Sequence, residues 1–298
     1  MTLTTNEAFK KFKSRLELSP TEQKDASKRQ KDVRKEIELD FDIETSFLTG
    51  SYGRYTKTKP LKDVDIFFVL GSKENWRKNK PPVETLEAFK KTLVNAYGEN
   101  RVDVDHPNRR CVTVEFSSAV PTVEEDGKVL SVDAVPAFLS GNAYEIPDRD
   151  LNEWIKTDPT IHQEKATSKN ATLNGYWIPL VKMLKAWNRS KGKPIKPSFL
   201  IEVMALDLIS GPFTSYPSEL RRFFSAAYDA IDESWPDPAG YGPPVSDRMH
   251  GHQLTLAKTE LRIAEKTVAL ASKLEQQGKQ YESLQTWRGL LGDYFPLS

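Results

Sequence analysis

The sequence predicts an α/β (α+β) protein with two lobes, a mixed β-sheet lobe followed by a helical lobe. Segments with the alternation or apolar run typical of strands lie in the first half of the chain, interrupted by one helical segment. After residue 169, apolar residues recur with helical spacing. At 298 residues the chain can hold one large domain or two lobes that share a core. We predict a sheet lobe with N-terminal helices over residues 1–150 and a helical lobe over residues 151–298.

Two helices are predicted at the start of the chain. Phe9, Phe12 and Leu16 have helical spacing in the first, and Ser19-Pro20-Thr21 begins a second helix that runs to about Leu39. Lysine and arginine crowd the second helix. This charge fits a solvated helix face or, alternatively, a surface for a long anionic partner.

A short strand over residues 45–49 ends at Gly50-Ser51, where a glycine lets the backbone approach a phosphate closely. A second strand begins at Asp63, and alternation along it places Asp63 and Asp65 on one face, about 7 Å apart along the chain. Two such carboxylates repel each other unless a cation lies between them. The pair therefore favours a hard cation such as Mg²⁺, and two solvated charges on an edge strand are the alternative.

Further strands are predicted at residues 101–105, 110–117 and 129–135, after a helix from 83 to about 97. Together with the first two strands they predict a mixed sheet. The single cysteine, Cys111, lies in an alternating strand, which favours a small buried core residue over a reactive thiol.

An irregular segment over residues 141–168 is predicted before the helical lobe, which begins with a helical pattern from Lys169 to Asn188. A basic loop then leads to Ser198. This serine is predicted to cap the next helix, with Glu202 completing a capping arrangement.

The combination of Gly50-Ser51 with Asp63-x-Asp65 resembles the nucleotidyltransferase superfamily of the DNA polymerase β type. The wider run over residues 47–70, with Arg54 and Thr56 in place, resembles the CD-NTases, the bacterial relatives of cyclic GMP-AMP synthase and oligoadenylate synthase. This resemblance implies a two-lobed nucleotidyltransferase fold in which a long N-terminal helix braces both lobes. We assign that role to the second helix.

The resemblance also implies a third carboxylate on a later strand, and Asp133 matches it. Asp63, Asp65 and Asp133 would then be the catalytic residues and the ligands of two Mg²⁺ ions, with Mn²⁺ as a substitute. This assignment requires the strand that carries Asp133 to return beside the strand that carries the other two.

Four further residues are implied to bind the nucleotide triphosphate: Gly50, Ser51, Lys185 and Ser198. Phe199 is implied to stack on a base. From the residues alone, a solvated lysine at a helix end is the preferred interpretation of Lys185. For Ser198, a helix cap and a phosphate contact at the helix start can both hold.

The function implied by the resemblance is the synthesis of a cyclic di- or trinucleotide second messenger from ATP, GTP or other NTPs, with pyrophosphate released at each bond. It further implies bacterial anti-phage (CBASS) signalling, in which the product activates a separate effector protein. Two alternatives stay open: transfer to another acceptor, such as an RNA end, a protein or a small molecule, and a non-catalytic nucleotide-binding sensor. No Walker A pattern occurs in the sequence, which argues against P-loop hydrolysis.

Net charge, cysteine count and the lengths of apolar runs limit the partners and the compartment expected for the chain. The formal net charge of +1 gives no global signal for nucleic acid or membrane binding. One cysteine excludes an intramolecular disulfide, and no apolar run approaches the length of a membrane span or a signal peptide, so a cytoplasmic protein is expected. One cysteine and scattered histidines cannot form a zinc-bearing sensor of nucleic acid. We therefore expect no nucleic-acid activator and allow for a regulatory protein partner.

Overall fold

The computed structural model describes residues 2–103, 110–116 and 130–298. The chain forms two compact units. The helical unit comprises Met1–Glu17, Thr56–Lys59 and Glu164–Ser298. The sheet unit comprises Leu18–Tyr55 and Pro60–Gln163.

The ranges of these units differ from the predicted lobes, 1–150 and 151–298, in three respects. The short segment Thr56–Lys59 belongs to the helical unit. The first helix groups with the helical unit, because its apolar side chains belong to the core of that unit. The sheet unit continues beyond residue 150, because a further strand pairs with the sheet there.

The described residues contain seven strands in one mixed sheet. In chain order, these are β1 Ile43–Leu48, β2 Asp63–Leu70, β3 Val102–Asp103, β4 Val112–Phe116, β5 Leu130–Ser140, β6 Ala143–Asp148 and β7 Glu153–Thr157. The strand order is β1-β2-β5-β4-β3, and β6 joins β5 to β7. Only the pairing of β2 with β5 is parallel among these strand pairs. The mixed sheet expected from the sequence is therefore confirmed.

The hairpin of β6 and β7 corrects one prediction, since both strands lie within the segment that was predicted to be irregular. Pro147 lies in β6 opposite Trp154. A proline is unusual inside a strand because it cannot donate a ladder hydrogen bond. The predicted strand at 101–105 is observed as β3, and its last two residues lie outside the described residues.

The helices follow in chain order. They are α1 Thr5–Arg15, α2 Pro20–Asp40, α3 Gly50–Gly53, α4 Pro82–Tyr97, α5 Pro159–Thr172, α6 Trp177–Ser190, α7 Phe199–Leu208, α8 Tyr216–Ala230, α9 Gly251–Gln276 and α10 Gln280–Leu291, with 3-10 helices at Ser72–Asn79 and Glu99–Arg101. Within the described parts of the chain, no helix has both the length and the apolar character needed to cross a membrane.

Helix α2 begins where the sequence predicts. The Ser19 hydroxyl accepts a hydrogen bond from the Glu22 amide, and the Glu22 carboxylate accepts one from the Ser19 amide, which forms a capping box. Val33 and Ile37 of α2 are fully buried against the sheet in the same core as Phe68 of β2. The role of this helix as a brace for both lobes stays a prediction.

The helical unit has a core rich in aromatic side chains. Phe9 of α1 lies edge-to-face on Trp287 of α10, with ring centroids 4.9 Å apart. The single helix predicted from Lys169 to Asn188 is in fact two helices, α5 and α6. The backbone turns between them at Asn174 and Gly175, with φ angles of 51° and 81°, and glycine adopts such positive angles without strain.

Candidate active site

The three predicted aspartates lie on the two parallel strands at the centre of the sheet unit. In the β2–β5 register, Asp65 is opposite Asp133 and Asp63 is opposite Ser131. The strand that carries Asp133 therefore does return beside the strand that carries Asp63 and Asp65, as the sequence required. Asp63 is exposed, Asp65 is half-buried and Asp133 is buried, with 6% of its surface accessible.

Strand alternation separates these carboxylates from the core. Val64 and Val132, their neighbours in sequence, are fully buried on the opposite face of the sheet. The aspartates share their own face with a smaller apolar cluster that contains Phe67 and Val135. This cluster fixes the strands beneath the carboxylates.

Sequence reasoning missed Thr113 on β4. Strand β4 pairs with the edge of β5 that does not face β2, and Thr113 is the partner of Asp133 in that register. Its buried hydroxyl donates a hydrogen bond to Asp133 Oδ1 over 2.7 Å. The strand itself was predicted, so its alternation could have identified Thr113 as a neighbour of the site. Cys111, two residues earlier, is buried as predicted. Its burial raises the pKa of its thiol, and the charge of Asp133 is the second cause.

Gly50 is needed for a reason that the sequence does not reveal. Its φ angle is +60°, and a Cβ atom built on it would lie 1.7 Å from Oδ2 of Asp65. No side chain larger than hydrogen fits there without displacing the carboxylate. Ser51 follows within the short helix α3 and is half-buried. The Thr49 amide also donates to the Asp65 carbonyl over 3.0 Å, so this turn lies directly against β2.

Burial and, after it, the nearness of like charges determine the electrostatics of this site. Burial raises the pKa of Asp133 to about 8, and the Asp65 carboxylate, with a smaller contribution from Asp63, acts in the same direction. The hydrogen bond from Thr113 has the opposite effect and lowers the pKa. A positive charge among the three groups would allow all of them to ionise.

No group of three or more His, Cys, Asp or Glu side chains in the described residues is arranged to hold a metal ion as it stands. The chemistry of the aspartates nevertheless fits a hard divalent cation, because they offer only carboxylate oxygens and repel one another. Asp63, Asp65 and Asp133 are thus the residues that could hold such an ion.

The remaining predicted residues belong to the helical unit. The side chain of Lys185 of α6 is 9% exposed, and its ammonium group donates to Glu202 Oε1 over 2.5 Å and to Thr56 Oγ1 over 3.2 Å. It is therefore not the solvated lysine that the residues alone allowed. Phe199 is half-buried and packs against the core of the unit.

Ser198 occupies the N-cap position of α7, but its side chain makes no capping hydrogen bond. The predicted capping arrangement with Glu202 is therefore wrong. The backbone of Ser198 is helical rather than extended, with φ −63° and ψ −18°, so its hydroxyl does not reach the amides of the first turn. Glu202 pairs with Lys185 instead. Ser198 is exposed.

Residues 1–170 match the model of the Second Messenger Oligonucleotide or Dinucleotide Synthetase domain, SMODS. This match spans more than half of the chain. The chain belongs to the SMODS family. The resemblance to the CD-NTases is thereby confirmed, and this SMODS protein is an enzyme, a nucleotidyltransferase of the cyclic oligonucleotide synthase type.

Relatives of the SMODS chain include two bacterial proteins with similar sequences. A probable cyclic nucleotide synthase of Bacillus cereus strain VD146 is 28% identical over 280 residues, which cover 83% of this chain and 81% of the relative. The cyclic AMP-AMP-AMP synthase of an Acinetobacter strain is 28% identical over 320 residues, which cover 99% of this chain and 87% of the relative.

Solved structures support the same fold. CdnC of E. coli MS115-1, in complex with HORMA-deltaN, has a TM-score of 0.71 to the SMODS chain at 18% identity, covering 98% of each chain. The same CdnC with ATP also has a TM-score of 0.71, at 17% identity, covering 99% of each chain.

Proposed function

We propose that this SMODS protein joins NTPs into a cyclic di- or trinucleotide second messenger and releases pyrophosphate at each bond. The observation that carries the proposal is the register of β2 and β5, which places Asp65 directly opposite Asp133 with Asp63 two residues away on the same face. Three carboxylates on adjacent strands, next to a turn that requires glycine, suit metal-dependent transfer of a nucleotidyl group.

Asp63, Asp65 and Asp133 are proposed as the catalytic residues and as the ligands of two Mg²⁺ ions, which Mn²⁺ can replace. When bound, the ions would supply the positive charge that favours an ionised acceptor hydroxyl and stabilises the departing pyrophosphate. Thr113 holds the Asp133 carboxylate in one orientation through its hydrogen bond. Burial of Asp133 excludes water from that side of the site.

Positioning of the nucleotide is assigned to four further residues. The backbone at Gly50 and the hydroxyl of Ser51 are proposed to donate to the phosphates, as are Lys185 and the exposed hydroxyl of Ser198. Transfer of phosphoryl-type groups depends on positioning and charge neutralisation, so no nucleophilic side chain of the protein is required. Phe199 is proposed to contact a base.

The product proposed in the first instance is a trinucleotide that contains adenylate, since a relative that aligns over 99% of this chain is named a cyclic AMP-AMP-AMP synthase. We assign the enzyme to anti-phage (CBASS) signalling in the cytoplasm, where its product activates a separate effector. A regulatory protein partner is also proposed, and the solved complex of CdnC with HORMA-deltaN supports it.

The test is to incubate the purified protein with all four NTPs and Mg²⁺ or Mn²⁺, treat the reaction with phosphatase, and identify the surviving products by mass spectrometry. We expect a phosphatase-resistant product whose mass is that of two or three nucleotide monophosphates less the water lost on ring closure. Asp65→Asn provides the matched inactive control. Linear oligomers, or a product that forms only when RNA or another acceptor is added, would instead show a transferase with a different acceptor.

A further inference from the structure

A buried network in the helical unit links α6, α7 and the short segment Thr56–Lys59. Lys185 Nζ donates to Glu202 Oε1 over 2.5 Å, to Thr56 Oγ1 over 3.2 Å and to the Thr56 carbonyl over 3.4 Å. The side chains of Lys185 and Glu202 are 9% and 2% exposed, and Thr56 is fully buried. The ammonium group therefore lies among one charged and two neutral acceptors, shielded from water.

The segment that carries Thr56 is itself fixed in this unit. The Arg189 guanidinium donates to Thr58 Oγ1 over 3.1 Å, and the Lys59 amide donates to the Leu16 carbonyl over 3.0 Å. Thr56 is thus held in place by contacts on the residues that follow it, independently of Lys185. Of the acceptors named above, the two on Thr56 belong to this fixed segment, and the Glu202 carboxylate belongs to a side chain of α7.

Burial makes Glu202 necessary for the position of Lys185. A buried ammonium is tolerated only when it is paired and hydrogen-bonded. Thr56 offers dipoles but no charge, so among the contacts given above only Glu202 supplies a negative charge. A lysine side chain is also long and flexible, and one that is already fixed loses less conformational freedom when it binds a phosphate.

We propose that Glu202 is a positioning residue for nucleotide binding, and that it acts by holding the Lys185 ammonium against Thr56. The inference rests on the proposed function, in which Lys185 binds the triphosphate. Glu202 itself does not contact the nucleotide in this account. It fixes the charge that does.

The experiment compares Glu202→Gln with a matched control, Glu219→Gln. Glu219 of α8 is also a buried helical carboxylate of this unit, 1% exposed, and it accepts from the Thr214 amide and hydroxyl over 3.3 and 3.1 Å. Three quantities are measured for each variant: kcat and KM for ATP, the Kd for a non-hydrolysable ATP analogue with Mg²⁺, and the melting temperature.

For Glu202→Gln, we expect KM and Kd to rise about tenfold, as for loss of a charged hydrogen bond, while kcat changes by less than about threefold. Glu219→Gln should lower the melting temperature and leave KM and Kd unchanged. Thr56→Val, which keeps the backbone carbonyl, should raise KM and Kd by about threefold. Glu202→Asp keeps the charge on a shorter side chain, so its KM and Kd should lie between those of wild type and Glu202→Gln.

A folded Glu202→Gln variant that binds the analogue as well as, or better than, wild type would overturn the proposal, because Glu202 would then merely compete with phosphate for Lys185. If Glu202→Gln does not fold, unchanged KM and Kd in both Thr56→Val and Glu202→Asp would overturn it equally. The proposed function fails separately, when wild type yields no cyclic product. The Kd comparison still tests Glu202 in that case, and wild type that binds no analogue contradicts the inference as well.

Discussion

The sheet unit and the helical unit each bury charged side chains, but they do so in opposite ways. Asp65 and Asp133 are carboxylates placed side by side on parallel strands, and burial, followed by the charge of Asp65, raises the pKa of Asp133 to about 8. Lys185 and Glu202 are opposite charges 2.5 Å apart, and they neutralise each other. An added cation would reduce the repulsion between the aspartates, whereas Lys185 and Glu202 already pair with opposite charge inside the protein. Substitution of an aspartate in the sheet unit should therefore reduce activity more than stability. Breaking the pair of Lys185 and Glu202 should reduce stability.

The largest effect is expected at Asp133. Asp133→Asn should reduce the rate of nucleotide synthesis by about a thousandfold or more, because it removes a proposed ligand of the cations that would neutralise the transferring phosphoryl group. It should not lower the melting temperature in EDTA, because Asn has no charge to bury beside Asp65 and can still accept the hydrogen bond from Thr113. Rates of pyrophosphate release and thermal melts measure both.

Asp148→Asn is the matched control for that substitution. Asp148 is a fully buried carboxylate of the same unit that pairs with Arg110 over 3.0 Å and accepts from the Asp150 amide over 3.1 Å. Its replacement should lower the melting temperature and preserve turnover. The reverse pattern in the two variants would place the catalytic carboxylate elsewhere.

The second effect is on stability at Lys185. Lys185→Met leaves Glu202 buried without its ammonium partner, and the free energy of unfolding should fall by about 3 kcal/mol, as when other buried ion pairs are broken. The double variant Lys185→Met with Glu202→Leu should recover most of this loss. Urea denaturation measures the difference.

An exposed pair sharpens the same test. Lys258 and Asp232 are 2.7 Å apart with side chains 35% and 47% exposed, so Lys258→Met should cost less than about 1 kcal/mol. If Lys185→Met proved no more costly than Lys258→Met, the pair of Lys185 and Glu202 would not have the energetic character described here.

A smaller effect is expected at Gly50. Gly50→Ala adds a Cβ atom 1.7 Å from the Asp65 carboxylate at a φ angle of +60°, so it should displace that carboxylate and reduce turnover. Gly141→Ala has a similar φ angle of +65° with nothing within 4 Å, and should show only the backbone cost of about 1–2 kcal/mol in unfolding free energy. Equal turnover in the two variants would show that the contact of this Cβ atom with Asp65 does not affect activity.

The last effect concerns pH in the metal-free protein. The pKa of Asp133 is about 8 in the folded chain, against 3.8 for an unperturbed aspartate. Between these values the folded chain binds more protons than the unfolded chain, so the free energy of unfolding should fall as the pH rises from about 4 to about 8. Melting temperatures in EDTA should therefore decline more steeply across this range for wild type than for Asp133→Asn. Parallel curves of melting temperature against pH would contradict a pKa of Asp133 that is raised by burial and by the neighbouring carboxylates.

Sequence reasoning reached the site because its signals are local. Alternation along β2 placed Asp63 and Asp65 on one face, and the family resemblance supplied Asp133. The contact between Gly50 and Asp65 was not predictable, because it depends on how a turn folds back on a neighbouring strand. Thr113 could have been found from the alternation of a strand that was predicted.

The helical unit was harder to predict in detail. Its helices follow from apolar spacing, although the break at Gly175 was overlooked. The pairing of Lys185 with Glu202 was not predictable, because it depends on the packing of α6 against α7, and local spacing suggested a cap at Ser198 instead. Residues that join elements distant in sequence leave no local pattern.

The most direct measurement is the rate of pyrophosphate release from ATP as a function of Mg²⁺ concentration, for wild type and Asp133→Asn side by side. We expect no release in EDTA, a saturable increase with Mg²⁺ for wild type, and almost none for Asp133→Asn at any Mg²⁺ concentration. Release by wild type in EDTA, or release by a folded Asp133→Asn variant at the wild-type rate, would contradict a metal-dependent site built on Asp63, Asp65 and Asp133.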